Sequence, residues 1–207
     1  MKIKKVIYTN MKLAAALFIT GSLSFLTACD DDDPIKEPTP ELITKATLTF
    51  TPAGGGTAII VTATDPDGEG VQNIVVDGPI NLSANQSYSL SIALINGLVA
   101  ATEPEYDVTA EIEEESHEHM FFFSWTNNVF TDPAGNGNID NRADDVNYSD
   151  EDHGGLPLGL ETSWATAASS SGTFRVLLKH QPDLKTASSP STAGETDLDL
   201  EFTINVQ

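Results

Sequence analysis

The stretch Asp197–Val206 constrains the fold more than any other part of the chain. Leu198, Leu200, Phe202, Ile204 and Val206 alternate there with Asp197, Asp199, Glu201, Thr203 and Asn205. A period of two puts one face of a strand in a core and the other in water, a pattern that no helix can present on one side. The same alternation recurs at Ala46-Leu48-Phe50, Tyr88-Leu90-Ile92-Leu94, Leu158-Leu160-Thr162-Trp164 and Phe174-Val176-Leu178-His180. Between these runs stand Gly54-Gly55-Gly56, Asp65-Pro66-Asp67-Gly68, Asn96-Gly97, Asn136-Gly137-Asn138 and Ser171-Gly172, residues that favour turns. Short strands at such spacing predict an all-β fold, an antiparallel β-sandwich of immunoglobulin-like layout, as a single domain over residues 43–207. One short helix is expected near residues 107–116, where Asp107 caps and Val108 and Ile112 lie one turn apart. The competing pattern there continues a strand through Tyr106, Val108, Ala110 and Ile112. A strand from His119 to Trp125 should follow. Its run Phe121-Phe122-Phe123 puts bulk on both faces, one in the core and the other either an apolar binding patch or covered by a loop.

The N-terminus has a different character. Lys2, Lys4, Lys5 and Lys12 precede an apolar stretch from Leu13 to Leu26 that is too short and too rich in Ser, Thr and Gly for a membrane span. It ends in Leu26-Thr27-Ala28-Cys29, which looks like a bacterial lipobox, so residues 1–28 read as a signal peptide and Cys29 as the acylated residue. Cys29 is the only cysteine of the chain, which excludes an internal disulfide. Two or more acyl chains give stable anchoring. Asp30-Asp31-Asp32-Asp33-Pro34 and the acid- and proline-rich stretch that follows make residues 29–42 the lipidated cysteine and an extended tether. An acidic run in that place resembles the surface-export signal of Bacteroidetes-type lipoproteins, which predicts the outer membrane and its outer face. The sorting rule of enteric bacteria would instead retain such a protein at the inner membrane.

The formal charge of the chain is −21, and removal of the four N-terminal lysines makes it more negative. Such a surface disfavours nucleic acid and anionic headgroups and favours cations or basic partners.

Chemistry-bearing residues are few. His117 and His119 share a strand face if the segment from Ser116 is extended, and alternate strand residues lie close enough for two imidazoles to lean on one ion. His117-Glu118-His119-Met120-Phe121 is not a zincin motif, because Phe121 stands where the second histidine belongs. His153 and His180 are the remaining histidines, and Glu195, Asp197 and Asp199 offer carboxylates. Asp150 and Asp152, like Asp65 and Asp67, space carboxylates before glycine in a manner that begins a calcium loop and equally makes an ordinary Asx turn. Asn136–Asp140 opens like an EF-hand loop but lacks its glycine (Asn141) and its final glutamate (Asn147). No G-x-S-x-G elbow, phosphate loop or free cysteine nucleophile is present, so no catalytic role is expected.

The segments "EIEEESHEH" and "FFF", "YSDEDHGGLPLGLETSW", "LLKHQPDLK" and "GETDLDLEFTINV" together resemble a family of small Bacteroidetes-type lipoproteins labelled "type 1 periplasmic binding fold superfamily protein". The resemblance covers most of the chain from Ile43 onward. Glu118, His119, Asp150, Asp152, His180, Glu195, Thr196 and Asp197 match its pattern, whereas His117 and His153 need not be histidine. It implies a metal set of His119 and His180 with Glu195 or Asp197, and it carries no reaction. The expectation is a non-catalytic binding or accessory module at the outer membrane, its ligand a divalent cation (zinc or calcium) or its partner a TonB-dependent receptor. The alternatives are a metal-dependent hydrolase using His119, His180 and an acid, and a structural or adhesive surface domain.

Overall fold

The computed structural model describes residues 41–68 and 73–207. The expected signal peptide, Cys29 and the tether as far as residue 40 lie outside the described residues. In chain order the elements are β1 (Lys45–Pro52), β2 (Ile59–Thr64), β3 (Val75–Val76), β4 (Ile80–Leu82), β5 (Ser87–Ile95), α1 (Val108–Glu114), β6 (His119–Trp125), β7 (Phe130–Asp132), β8 (Glu161–Thr166), β9 (Ser170–His180) and β10 (Glu195–Val206). They form a β-sandwich of two sheets, ordered β3-β2-β1-β5-β8-β7 and β4-β10-β9-β6. Neighbours pair antiparallel except β4, which lies parallel to β10 through Ile80, Asn81 and Leu82. Among the described residues no helix is long and apolar enough to cross a membrane.

The alternation in the sequence sets which side chains meet between the sheets. Ala46, Leu48 and Phe50 of β1 and Tyr88, Leu90, Ile92 and Leu94 of β5 face Phe174, Val176 and Leu178 of β9 and Leu198 through Val206 of β10 in one core cluster. Phe174 sits at its centre, with its ring against those of Phe50, Phe123, Phe130 and Trp164. A cavity in such a position costs about 3–5 kcal/mol for Phe→Ala. Phe122 packs on the opposite face with Met120 and Leu177, where Ile139 and Tyr148 cover it. That face is therefore covered and offers no exposed patch.

Helix α1 begins where the sequence pattern places it, with the Asp107 carboxylate accepting from Ala110 N–H at 3.2 Å. Thr109 Oγ1 then docks it on β5 by bonding the backbone of Leu94. The run Leu158–Trp164 departs from expectation in its first half. Regular strand starts only at Glu161, because Leu158 O accepts from Phe121 N in one sheet and Leu160 O from Ile92 N in the other. The chain crosses between the sheets there on Gly159, whose φ is +102° and whose missing Cβ would meet Phe121 and Tyr148 at 2.8–2.9 Å.

Candidate metal centre

Strand β6 starts at His119, one residue after a turn closed by Glu118 N donating to Glu115 O at 2.8 Å. His117 therefore lies in the turn with its side chain 64% exposed, and does not share a strand face with His119. In the ladder His119 stands directly across from His180, the last residue of β9. Both belong to the face of Phe121 and Leu178, and their rings stack at 4.6 Å with 7° between planes. Two imidazoles thus end the apolar core on one edge of the sandwich.

The third residue arrives by an irregularity. The pairing of β9 with β10 shifts between Thr196 and Leu198. A bulge inserts an unpaired residue and re-aims its side chain. Here it takes Asp197 out of the ladder and buries its side chain completely, 3.6 Å from His119 Nε2. Gly194, with φ +74°, permits the approach just before this strand, since a Cβ would meet His180 O at 2.0 Å. The fourth residue is Glu41, from the segment entering the domain, with Oε1 3.9 Å from the same His119 nitrogen.

Hydrogen bonding defines what His119 offers. Its Nδ1 lies 3.2 Å from Glu115 O, and a carbonyl only accepts, so Nδ1 carries the ring proton. Burial, followed by the charge of His180, lowers the His119 pKa to about 4, so the ring is neutral near pH 7. Nε2 then presents a lone pair to Asp197 and Glu41. Burial raises Asp197 to about 6. Burial and the neighbouring carboxylates Glu111, Asp197 and Glu115 raise Glu41 to about 7. A lone pair and two carboxylates that face one another repel unless a proton or a cation lies among them.

Buried polar atoms nearly always have partners. Of the eight buried side-chain atoms without one among the described residues, four belong here: His119 Nε2, His180 Nδ1 and both Asp197 oxygens. The backbone N–H of Glu41 turns toward the Asp197 carboxylate without completing a bond. His180 Nε2 is engaged with Glu118 Oε2 at 3.1 Å. Two donors on one tetrahedral ion at ~2.0–2.1 Å stand about 3.3–3.5 Å apart. The 3.6 Å from His119 Nε2 to Asp197 is close to that, and the 3.9 Å to Glu41 is wider. Glu115, His119 and His180 form a looser group, each offering an atom within 4.8 Å of the others. Beside Glu41 and Asp197 lies a recess of about 160 Å³, also lined by Leu42, Ile43, Asp65 and Ile74.

The sequence candidates divide. His119, His180 and Asp197 come together. Glu195 pairs with His180 in the ladder, but its side chain is exposed and takes no part in the cluster. Asp150 accepts from the amides of Gly159 and Glu161. Asp152 accepts from those of Gly154 and Leu156 and binds Lys185 Nζ at 2.8 Å. Through these bonds the two carboxylates hold the 150–161 loop together. Asp65 closes an Asx turn on Asp67 and Gly68. Asn138, in the loop that opens like an EF-hand, is buried and bonded to Phe123 N and Tyr148 OH. Glu41 falls within the tether by sequence, and no local pattern marks it as a ligand.

No protein-family model matches this chain, and neither a curated protein nor a solved structure is significantly similar to it.

Proposed function

We propose that this chain is a non-catalytic binding module for a divalent cation, exported and held at the outer face of the outer membrane by acyl chains on Cys29. Kinship with the small Bacteroidetes-type lipoproteins belongs to this reading, and an outer-membrane receptor is the partner such an address brings within reach. One observation carries the cation: a fully buried imidazole nitrogen, its proton fixed on the other side of the ring, faces a fully buried carboxylate at 3.6 Å with no donor between them. A divalent ion would satisfy both groups and offset the charges of Asp197 and Glu41 together.

Elemental analysis of the purified protein, with melting curves before and after chelation, tests the cation. One ion per chain is expected, with a melting temperature that falls on chelation and recovers on adding metal, since an ion at a hundred times its Kd adds ~2.7 kcal/mol. A metal-free protein whose melting ignores zinc, calcium and manganese would sink the reading. Labelled palmitate entering the wild type and not Cys29→Ala is the matching test of the anchor.

A further inference from the structure

We propose that the site takes a zinc-class transition ion, held by His119 Nε2, Asp197 and Glu41, and that Glu41 closes it from the segment leading into β1. This deepens the cation-binding reading above and rests on it.

The donor set selects the ion. Calcium takes about six to eight oxygens at about 2.3–2.6 Å, and imidazole is not among its usual ligands. A neutral imidazole beside two carboxylates suits zinc and its late first-row neighbours, which accept low coordination numbers. The two carboxylates also neutralise a divalent charge, as a site walled by Leu42, Ile43 and Leu198 requires. The second-sphere partner is present as well: His119 donates its other ring N–H to Glu115 O, the contact that fixes a ligating imidazole in its working tautomer.

Geometry selects Glu41 over Glu115. Glu41 Oε1 and Asp197 Oδ2 approach the free nitrogen of His119 at 3.9 and 3.6 Å. Glu115 shares its looser group with His119 and His180, but its carbonyl already binds the opposite nitrogen of the His119 ring. The Glu41 side chain is only 11% exposed and lies against the carboxylates of Glu111, Glu115 and Asp197. Such crowding of acids is relieved by a cation on the Asp197 side. One ion then joins the domain's entry segment, the start of β6 and the bulge of β10, three places far apart in the chain.

Cobalt(II) is the probe, titrated into the purified wild-type protein and displaced in turn by zinc and by calcium. One equivalent should bind with the intense visible bands of a low-coordinate ion. Zinc should displace it, and millimolar calcium should not. Glu41→Gln, isosteric and at the rim, should weaken cobalt by on the order of tenfold or more, and His119→Gln should abolish binding, with circular dichroism unchanged in both. Glu115→Gln should bind as the wild type does. X-ray absorption of the zinc-loaded wild type should require one imidazole and a shell of oxygens. Displacement by calcium, full affinity in Glu41→Gln, loss in Glu115→Gln, or a second imidazole in the shell would each overturn the assignment while leaving cation binding standing. Failure of the wild type to bind any ion would overturn both.

Discussion

Two buried polar clusters are tied to the turn that precedes β6, and they differ in how well they are satisfied. In the first, Lys185 and Asp152 are 1% and 2% exposed and pair at 2.8 Å. Lys185 Nζ also donates to Ser116 O, and Asp152 accepts from the amides of Gly154 and Leu156. In the second, His119 and Asp197 are as deeply buried, yet His119 Nε2 and both Asp197 oxygens lack partners. Their pKa values follow suit. Burial pushes Asp152 up, but Lys185 and the two amides outweigh it and hold the carboxyl below its ordinary value. Burial pushes Asp197 up to about 6, and its neighbours do not overcome it. A carboxylate with an ammonium and amides belongs to the fold by itself. A carboxylate facing a lone pair is stable only with something positive beside it. The first cluster is a structural lock, and the second has the form of a ligand site.

Opposite responses to substitution would break that contrast or sharpen it, and the lock should give the largest effect. Asp152→Ala leaves the Lys185 ammonium buried and uncompensated, which costs about 3–5 kcal/mol. Urea unfolding should show that loss with and without metal in equal measure. If added zinc restored the stability, the lock would not be independent of the ion.

The second cluster should respond in the other direction. In metal-free protein, Asp197→Asn removes a poorly solvated charge while keeping the shape, so stability should stay level or rise by about 1 kcal/mol. The same variant should lose the whole metal-dependent rise in melting temperature. A destabilisation as large as that of Asp152→Ala, without metal, would mean that Asp197 has a structural partner in the fold.

The pH dependence of the metal-free protein should be of intermediate size. Glu41 is raised from 4.5 to about 7 and Asp197 from 3.8 to about 6, so the folded state binds their protons more tightly than the unfolded chain does. Stability from these two is present at low pH and is lost as pH rises through those windows. His119, lowered from 6.5 to about 4, acts in the reverse sense and costs stability as pH falls below 6.5. Two acids against one histidine leave a net loss on going from pH 5 to 7, on the order of 1–2 kcal/mol. Urea midpoints across that range should show it in the wild type, whereas the double variant Glu41→Gln, Asp197→Asn, which keeps only His119, should gain stability over the same interval. Saturating zinc should invert the slope, because the ligands must give up their protons to bind.

How much of this was legible in the sequence follows from the range of each interaction. Alternation is local, so β1, β5, β9 and β10 could be read directly, as could the Asp107 cap of α1. The same alternation assigns Asp197 to the solvated face with Asp199 and Glu201. Only the register shift beside Thr196 takes it inside, and the shift arises in pairing with β9. His117 and His119 have the spacing of a strand pair, yet the turn at Glu115–Glu118 breaks the strand between them. The crossover at Leu158–Leu160 keeps an alternating pattern while its carbonyls serve two different sheets. Glu41 is the extreme case. Its neighbours in sequence are proline, threonine and leucine, and its role depends wholly on residues brought to it by the fold.

The smallest expected effect is also the cleanest discriminator within β10. Glu195 lies directly across the ladder from His180, and Asp197 is only two residues further along. Resemblance and composition make them equal candidates, but Glu195 is exposed while the Asp197 side chain is fully buried. An exposed carboxylate is already solvated, so Glu195→Gln should change stability by no more than about 0.5 kcal/mol. It should leave metal affinity unchanged, whereas Asp197→Asn abolishes it. Calorimetric titration of both variants with zinc checks this. Equal losses would place the ion at the exposed start of β10, beside Glu195 and His180, and would leave the buried lone pair of His119 to be satisfied by a proton shared with Asp197.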